Sequence, residues 1–260
     1  MGIKDFYIEK MDWRFQKLSG LYWPILHKIG KFTYAGRKCR QEIKNDNIVL
    51  NMMTYKRGEY LKRTIESLLD KNPNILSRLR IVLLVQGAND APTESVIDEF
   101  KLIFHKILRP GINLGTGGGF TYLMKHSLDM ECGFVLNLED DWLSNEGFEK
   151  YLDEILNFLK KDKDVGFIRL RSVEEKISPI NLISRKEIKH DMVTANIRKG
   201  NFHFAFNPMI IKSSVIPFLL PAKNEFACEK KYELLGLQGA QLMAKCFIHV
   251  GNKRAEGWKR

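Results

Sequence analysis

Cysteine is sparse in this 260-residue chain and never closely paired: Cys39, Cys132, Cys228 and Cys246 are all there is, with no CxxC. A disulfide scaffold or a cysteine-based zinc site needs denser pairing, so these read as reduced thiols of a cytosolic protein. No apolar run approaches the ~18 residues of a spanning helix. Charges at Lys4 and Asp5 break any signal-peptide core, and Gly2 lacks the downstream Ser or Thr of a myristoylation site. There is no internal repeat and no low-complexity run. Neither common nucleotide fingerprint is present: GxGxxG fails at Phe120, and GxxxxGK[ST] does not occur. With 44% apolar and 28% charged residues, the composition is that of a globular chain and excludes disorder.

Acidic residues are also short relative to basic ones, and unevenly so. Lys plus Arg is 42 against 31 Asp plus Glu, a net charge of +11. Residues 1–45 hold ten basic and four acidic side chains, so +6 of that excess lies in this segment. Trp13, Phe15, Tyr22, Trp23 and Phe32 are interleaved among these charges, with Pro24 dividing the stretch into two short helices. Aromatics among Lys and Arg suit an anionic membrane surface. A packed extension over the rest of the chain is the alternative, and with no recognised motif nucleic acid is not expected. Residues 1–45 therefore read as a basic extension to a domain over 46–260. The localisation that follows is cytoplasmic, peripheral at the inner membrane face.

From Asn47 onward, strand-like and helix-like patterns alternate. Ile48–Met53, Ile81–Val85, Phe134–Leu138 and Val165–Leu170 are short runs apolar on both faces. Four helices are marked by Leu61, Ile65 and Leu68; by Val96, Phe100, Ile103 and Phe104; by Phe120, Leu123 and Leu128; and by Phe148, Leu152, Ile155 and Leu159. This predicts an α/β fold, a mostly parallel sheet with helices on both faces. Ligands of such sheets lie beyond the carboxyl ends of the strands. The segments to watch are thus Thr54–Arg57, Gln86–Asp90, Gly111–Gly119 and Glu139–Trp142. Ser172–Lys199 is charged and weakly periodic, an excursion of the kind that shapes an acceptor site.

Two segments carry chemistry. Glu139-Asp140-Asp141 follows a buried strand, and three carboxylates there are too costly to bury unpaired. At the strand mouth they would hold a hard cation, Mg²⁺ or Mn²⁺; the alternative is an acidic cap on a helix over Ser144–Lys161. Gly115, Gly117 and Gly118 open directly into a helix, where backbone N–H groups favour phosphate; the alternative is a turn with a packing glycine. Trp142 would stack on a sugar ring or simply pack. His203 reads as acceptor-site wall or core.

Taken in order, these pieces resemble family 2 type glycosyltransferases of GT-A fold, over about residues 46–250. Asn47-Ile-Val-Leu-Asn-Met-Met-Thr-Tyr-Lys-Arg57 followed by Ser67-Leu-Leu69 is similar to that family's opening strand, polar motif and helix. Asn113-Leu-Gly115 with Gly117–Gly119 is similar to its Asn-x-Gly segment, and Leu138-Glu-Asp-Asp141 to its DXD motif. The resemblance implies transfer of a sugar from a nucleotide sugar, with UDP the expected base, to a glycan, lipid or protein hydroxyl, inverting at the anomeric carbon. It places Thr54, Tyr55, Arg57, Gln86, Asn113, Gly115, Gly117, Gly118, Glu139 and Asp140 around the donor. It assigns Glu139, Asp141 and a late histidine, His249, to Mn²⁺ or Mg²⁺. Asp141 and a late carboxylate then do the chemistry, Glu229 being the choice over Glu225 and Glu233. The chain departs from the pattern in having Gln86 where an Asp usually reads the nucleoside, with Asn89 or Asp90 as substitutes, and Glu139 as first acid of the DXD. Two other readings stand beside it: a sugar nucleotidyltransferase, disfavoured because the first strand is followed by a single glycine, Gly58, and a non-catalytic binding protein with a degenerate site.

Overall fold

The structure is a computed structural model and describes residues 29–43, 45–171, 191–200, 202 and 204–251. The strands are β1 (Ile48–Thr54), β2 (Leu79–Val85), β3 (Phe104–Leu108), β4 (Phe134–Glu139), β5 (Trp142–Ser144), β6 (Val165–Arg169), β7 (Asp191–Met192), β8 (Ile197–Gly200), β9 (Met209–Lys212), β10 (Gln238–Leu242) and β11 (Phe247–His249). The helices are α1 (Tyr34–Cys39), α2 (Gly58–Lys71), α3 (Ile75–Arg78), α4 (Ala91–Glu99), α5 (Gly115–Asp129), α6 (Glu149–Lys161), α7 (Ile216–Leu219) and α8 (Glu225–Leu234).

Nine strands form one sheet in the order β3-β2-β1-β4-β9-β6-β10-β8-β7. β1 is parallel to both β2 and β4, and β2 to β3. β9 enters antiparallel between β4 and β6, and β8 runs against β10, so only β8 and β9 oppose the common direction. Side chains alternate faces along a strand. Ile48, Leu50 and Met52 therefore join a core with α2, α4 and α6, while Val49 and Met53 join a second core with α5, α8 and Cys39. With a layer on each face, β1 is buried throughout, which is why its sequence shows no polar alternation.

Three of the described helices, α1, α4 and α8, begin at a side-chain cap. Asp90 accepts from Thr93 N and Oγ1 at the start of α4, and Asn224 accepts from Ala227 N (2.8 Å) at the start of α8. α1 sits at the amino ends of the parallel strands. There Arg40 donates to Asp164 Oδ1 (2.7 Å) and to Leu235 O (3.1 Å), and Lys31 donates to Asp164 Oδ2 (2.6 Å).

Two sequence expectations are corrected. The second helix ends at Glu99, and Phe104 starts the edge strand β3; a five-residue, half-exposed strand carries too little pattern to separate from the preceding helix. The helix expected from Ser144 begins only at Glu149, because Trp142–Ser144 pairs with Phe247–His249 as a small second sheet. That pairing also removes the helix-cap reading of the carboxylates. Residues 1–28 of the basic extension, 172–190 of the excursion, and His203 lie outside the described residues.

Candidate active site

β1 and β4 lie side by side with Met53 opposite Glu139, so their carboxyl ends deliver Thr54 and the three acids to one place. Asp140 N donates to Met53 O (3.1 Å), which prolongs the ladder by one bond and turns the Asp140 side chain inward. That side chain is fully buried. Thr54 Oγ1 donates to Asp140 Oδ2 (2.6 Å), Arg57 Nε donates to the same oxygen (3.2 Å), and Arg57 Nη2 pairs with Oδ1. From α2, Thr64 Oγ1 donates to Asp140 O (2.7 Å). Asp140 and Thr54, which the resemblance places at the nucleotide, brace the junction between β1 and α2. Burial pushes the Asp140 carboxyl up to about 7, against the pull of Arg57 and Thr54.

Asp141 faces a different set. Its Oδ2 accepts from Arg57 Nη1 (2.9 Å) and lies 3.4 Å from His249 Nε2, while its Oδ1 is buried with no hydrogen-bond partner. The pairing of β5 with β11 sets His249 opposite Trp142, with ring centroids 4.9 Å apart, and Val250 N donates to Asp141 O (2.9 Å). The chain then passes so close that a Cβ on Gly251 would stand 2.7 Å from Asp141 Cγ. Two sequence-distant residues, Asp141 and His249, are thus brought together by backbone pairing. Burial alone would raise the Asp141 carboxyl, but the hydrogen bond to His249 and the charges of Arg57 and His249 hold it below the usual carboxylate range. Trp142 is buried in the core beside this pair, which corrects the stacking platform considered for it.

Glu139 projects toward the face covered by α5 and α8. Burial pushes its carboxyl up to about 8, and the neighbouring Asp141, Asp140 and Glu225 charges add to the rise. Glu225 lies at the first position of α8 and its Oε1 accepts from Phe206 N (2.7 Å). Among the late acids, Glu229 was the sequence choice; it lies one turn further along α8, about 6 Å away along the axis. Glu225 is the acid whose field reaches Glu139. What sets it apart from Glu229 and Glu233 in the sequence is its position directly after the Asn224 cap, where the helix starts. Glu233 lies beyond both, 3.6 Å from Lys230.

The opposite wall is built by the β2 end and the start of α5. Gln86 is buried, and its Oε1 accepts from Leu114 N (2.8 Å), so it latches the loop ahead of α5. Asp90, considered as its substitute, is occupied by the α4 cap. Tyr55 stands at the β1 exit, where a Cβ on Gly87 would meet its ring at 2.7 Å. Asn113 Oδ1 accepts from Gly115 N (2.8 Å), and Gly115, at φ 67°, has open space around it. Gly117 is a packing glycine: a Cβ there would come within 2.6 Å of Ala222 O. Gly118 is half-exposed on the first turn of α5.

Among the described residues, no three His, Cys, Asp or Glu side chains converge as a metal-binding group. Asp141 and His249 nonetheless fit a divalent ion that completes its shell from diphosphate and water, since one Asp141 oxygen is orphaned and the imidazole lies beside the carboxylate. Glu139, expected as a third ligand, is directed instead toward the Glu225 side.

No protein-family model matches the chain, and no curated protein matches it by sequence. Solved structures do match. S. aureus TarS 1–349 in complex with UDP-GlcNAc superposes with a TM-score of 0.57 at 15% identity, covering 81% of this chain and 60% of that one. GalNAc-T7 with UDP, GalNAc and Mn²⁺ gives 0.58 at 14% identity, covering 83% of this chain and 45% of that one. The chain thus spans less than two thirds of either of those chains. The fold is the GT-A fold of these glycosyltransferases.

Proposed function

We propose that the protein is a metal-dependent glycosyltransferase that moves a sugar from a nucleotide-sugar donor, a UDP-sugar, to the hydroxyl of a glycan, lipid or protein acceptor, with inversion. The observation that carries this reading is Asp141 at the carboxyl end of β4, with one buried orphan oxygen and His249 beside it. The two fold neighbours reported above, one with UDP-GlcNAc and one with UDP and Mn²⁺, support the donor class. Asp141 and His249 would hold Mn²⁺ or Mg²⁺, which as a Lewis acid neutralises the charge developing on the leaving diphosphate.

The chain's own residues do the rest. Arg57 hangs from the β1 exit and offers a guanidinium to the diphosphate. The first turn of α5, with Gly115 and Gly118, presents backbone N–H groups to the same anion. Tyr55 and Asn113 line the nucleoside side. Glu139 reaches toward the sugar from β4, and Glu225 takes the proton from the attacking acceptor hydroxyl as general base. Gly58 argues against the sugar nucleotidyltransferase alternative. In place of a Gly-rich phosphate loop it packs on Pro92, whose carbonyl carbon a Cβ would approach to 2.6 Å. Residues 1–45 enter the proposal as a contact for an anionic membrane face; pelleting with anionic but not neutral vesicles is the expected outcome.

Thermal shift against UDP-, GDP-, dTDP- and CMP-sugars, with and without Mn²⁺, tests the donor site. At 100 times its Kd a ligand adds about 2.7 kcal/mol of stability, several degrees of Tm. A shift that needs both UDP-sugar and Mn²⁺, and disappears in Asp141→Ala, supports the reading. No shift with any nucleotide sugar contradicts it and returns the chain to a binding role.

A further inference from the structure

Arg57 is the one strong cation in contact with the acid cluster among the described ion pairs, and it grips both aspartates at once. Its Nη1 occupies the same Asp141 oxygen that His249 Nε2 approaches, at 2.9 Å and 3.4 Å. A divalent ion held by Asp141 and His249 sits on the same carboxylate as that guanidinium, whether it takes Oδ2 or the orphan Oδ1. The two cations repel, and neither is screened by bulk water, since Asp141 is buried and Arg57 is largely covered. Arg57 also has another direction available. It precedes the first residue of α2 and forms no side-chain cap there, and its guanidinium lies 5.7 Å from the centre of the Tyr60 ring. A diphosphate arriving at the strand mouth brings two or three negative charges and draws the fork toward itself.

We infer that Arg57 is an internal competitor of the metal, which it holds off Asp141 until a nucleotide diphosphate draws the guanidinium away. In this scheme Arg57 is a positioning residue for the ion: metal and nucleotide bind weakly apart and tightly together, because each relieves a contact the other needs broken. Coupling of this kind is reciprocal, so UDP must tighten Mn²⁺ by the factor by which Mn²⁺ tightens UDP. A chain regulated in this way does not fill its site with a metal that has no substrate to act on. The inference rests on the proposed nucleotide-sugar chemistry of the same site.

The test is Mn²⁺ binding by electron paramagnetic resonance, with and without UDP and corrected for Mn–UDP formed in solution. It is run on the full chain and on Arg57→Gln and Arg57→Lys, each checked for a cooperative melt. Wild type should bind Mn²⁺ weakly alone and at least about tenfold more tightly with UDP. Arg57→Gln should bind Mn²⁺ alone about tenfold more tightly than wild type, with a smaller gain from UDP. Arg57→Lys cannot bridge both carboxylates and should fall between the two, which keeps the test open if the Gln variant fails to fold. Unchanged or weaker Mn²⁺ binding in folded variants, with the UDP gain intact, overturns the inference and leaves the transferase reading standing. A wild type whose Mn²⁺ binding is indifferent to UDP overturns both.

Discussion

At the scale of single residues, adjacent carboxylates divide their labour by direction. Asp140 faces inward, where Thr54, Arg57 and Thr64 hold it; Asp141 meets Arg57 and His249 through Oδ2, and its buried Oδ1 has no hydrogen-bond partner. Substitutions should separate the two. Thr54→Val removes a hydroxyl that donates to a buried carboxylate, and should cost about 1.5–3 kcal/mol of stability, measured by urea unfolding. Asp141→Asn should lower the melt without ligand, because it removes the buried charge that faces Arg57 and His249, and should abolish the metal-dependent stabilisation by UDP-sugar. Glu225→Gln should keep donor binding and lower transfer by roughly 10²- to 10⁴-fold, the usual contribution of a general base, whereas Glu229→Gln should change transfer little. Steady-state transfer assays with donor affinity measured in parallel distinguish these.

At the scale of elements, the patterned core was readable and the pairings that close the site were not. β1, β2, β4 and β6, with α2, α5 and α6, were legible because a strand covered on both faces, or a helix with one apolar stripe, has a periodicity of its own. β9, β10 and β11 are short and gain their identity from their neighbours. Phe247–His249 becomes a strand because Trp142–Ser144 pairs with it, and that long-range event is what carries His249 to Asp141. Gln86 shows the same limit at the residue level, since its latch on Leu114 N follows from the loop's path and has no sequence signature. α1 offers an element-scale test. Lys31 and Arg40 pull the Asp164 carboxyl down to about 2, although its partial burial alone would raise it. Its unfolded value is near 3.8, so the stabilisation is complete above that pH and is lost as pH falls from about 4 through about 2. Asp164→Asn should remove this acid-limb dependence. With the group a third exposed, solvent screening limits the cost at neutral pH to about 1–2 kcal/mol. Tm followed from pH 5 to pH 2 for both proteins checks it.

At the scale of the molecule, the sheet has a working end and a rear end. Thr54, Glu139, Asp141 and the start of α5 lie at the carboxyl ends of the parallel strands, while α1 and its latch on Asp164 lie at the amino ends, roughly 20 Å away along β1. Ile29, Phe32 and Tyr34 are exposed at that rear end, so a membrane bound through them would leave the mouth facing the other way. No helix among the described residues is long and apolar enough to cross a membrane. The central claim is that the mouth binds a nucleotide sugar through a metal on Asp141. The most direct measurement is hydrolysis of UDP-GlcNAc without acceptor, with Mn²⁺, with EDTA, and in Asp141→Ala. Slow release of UDP that requires Mn²⁺ and is lost in the variant is the predicted result. Release of equal rate in EDTA or in Asp141→Ala, or a well-folded protein with no release from any nucleotide sugar, would contradict it.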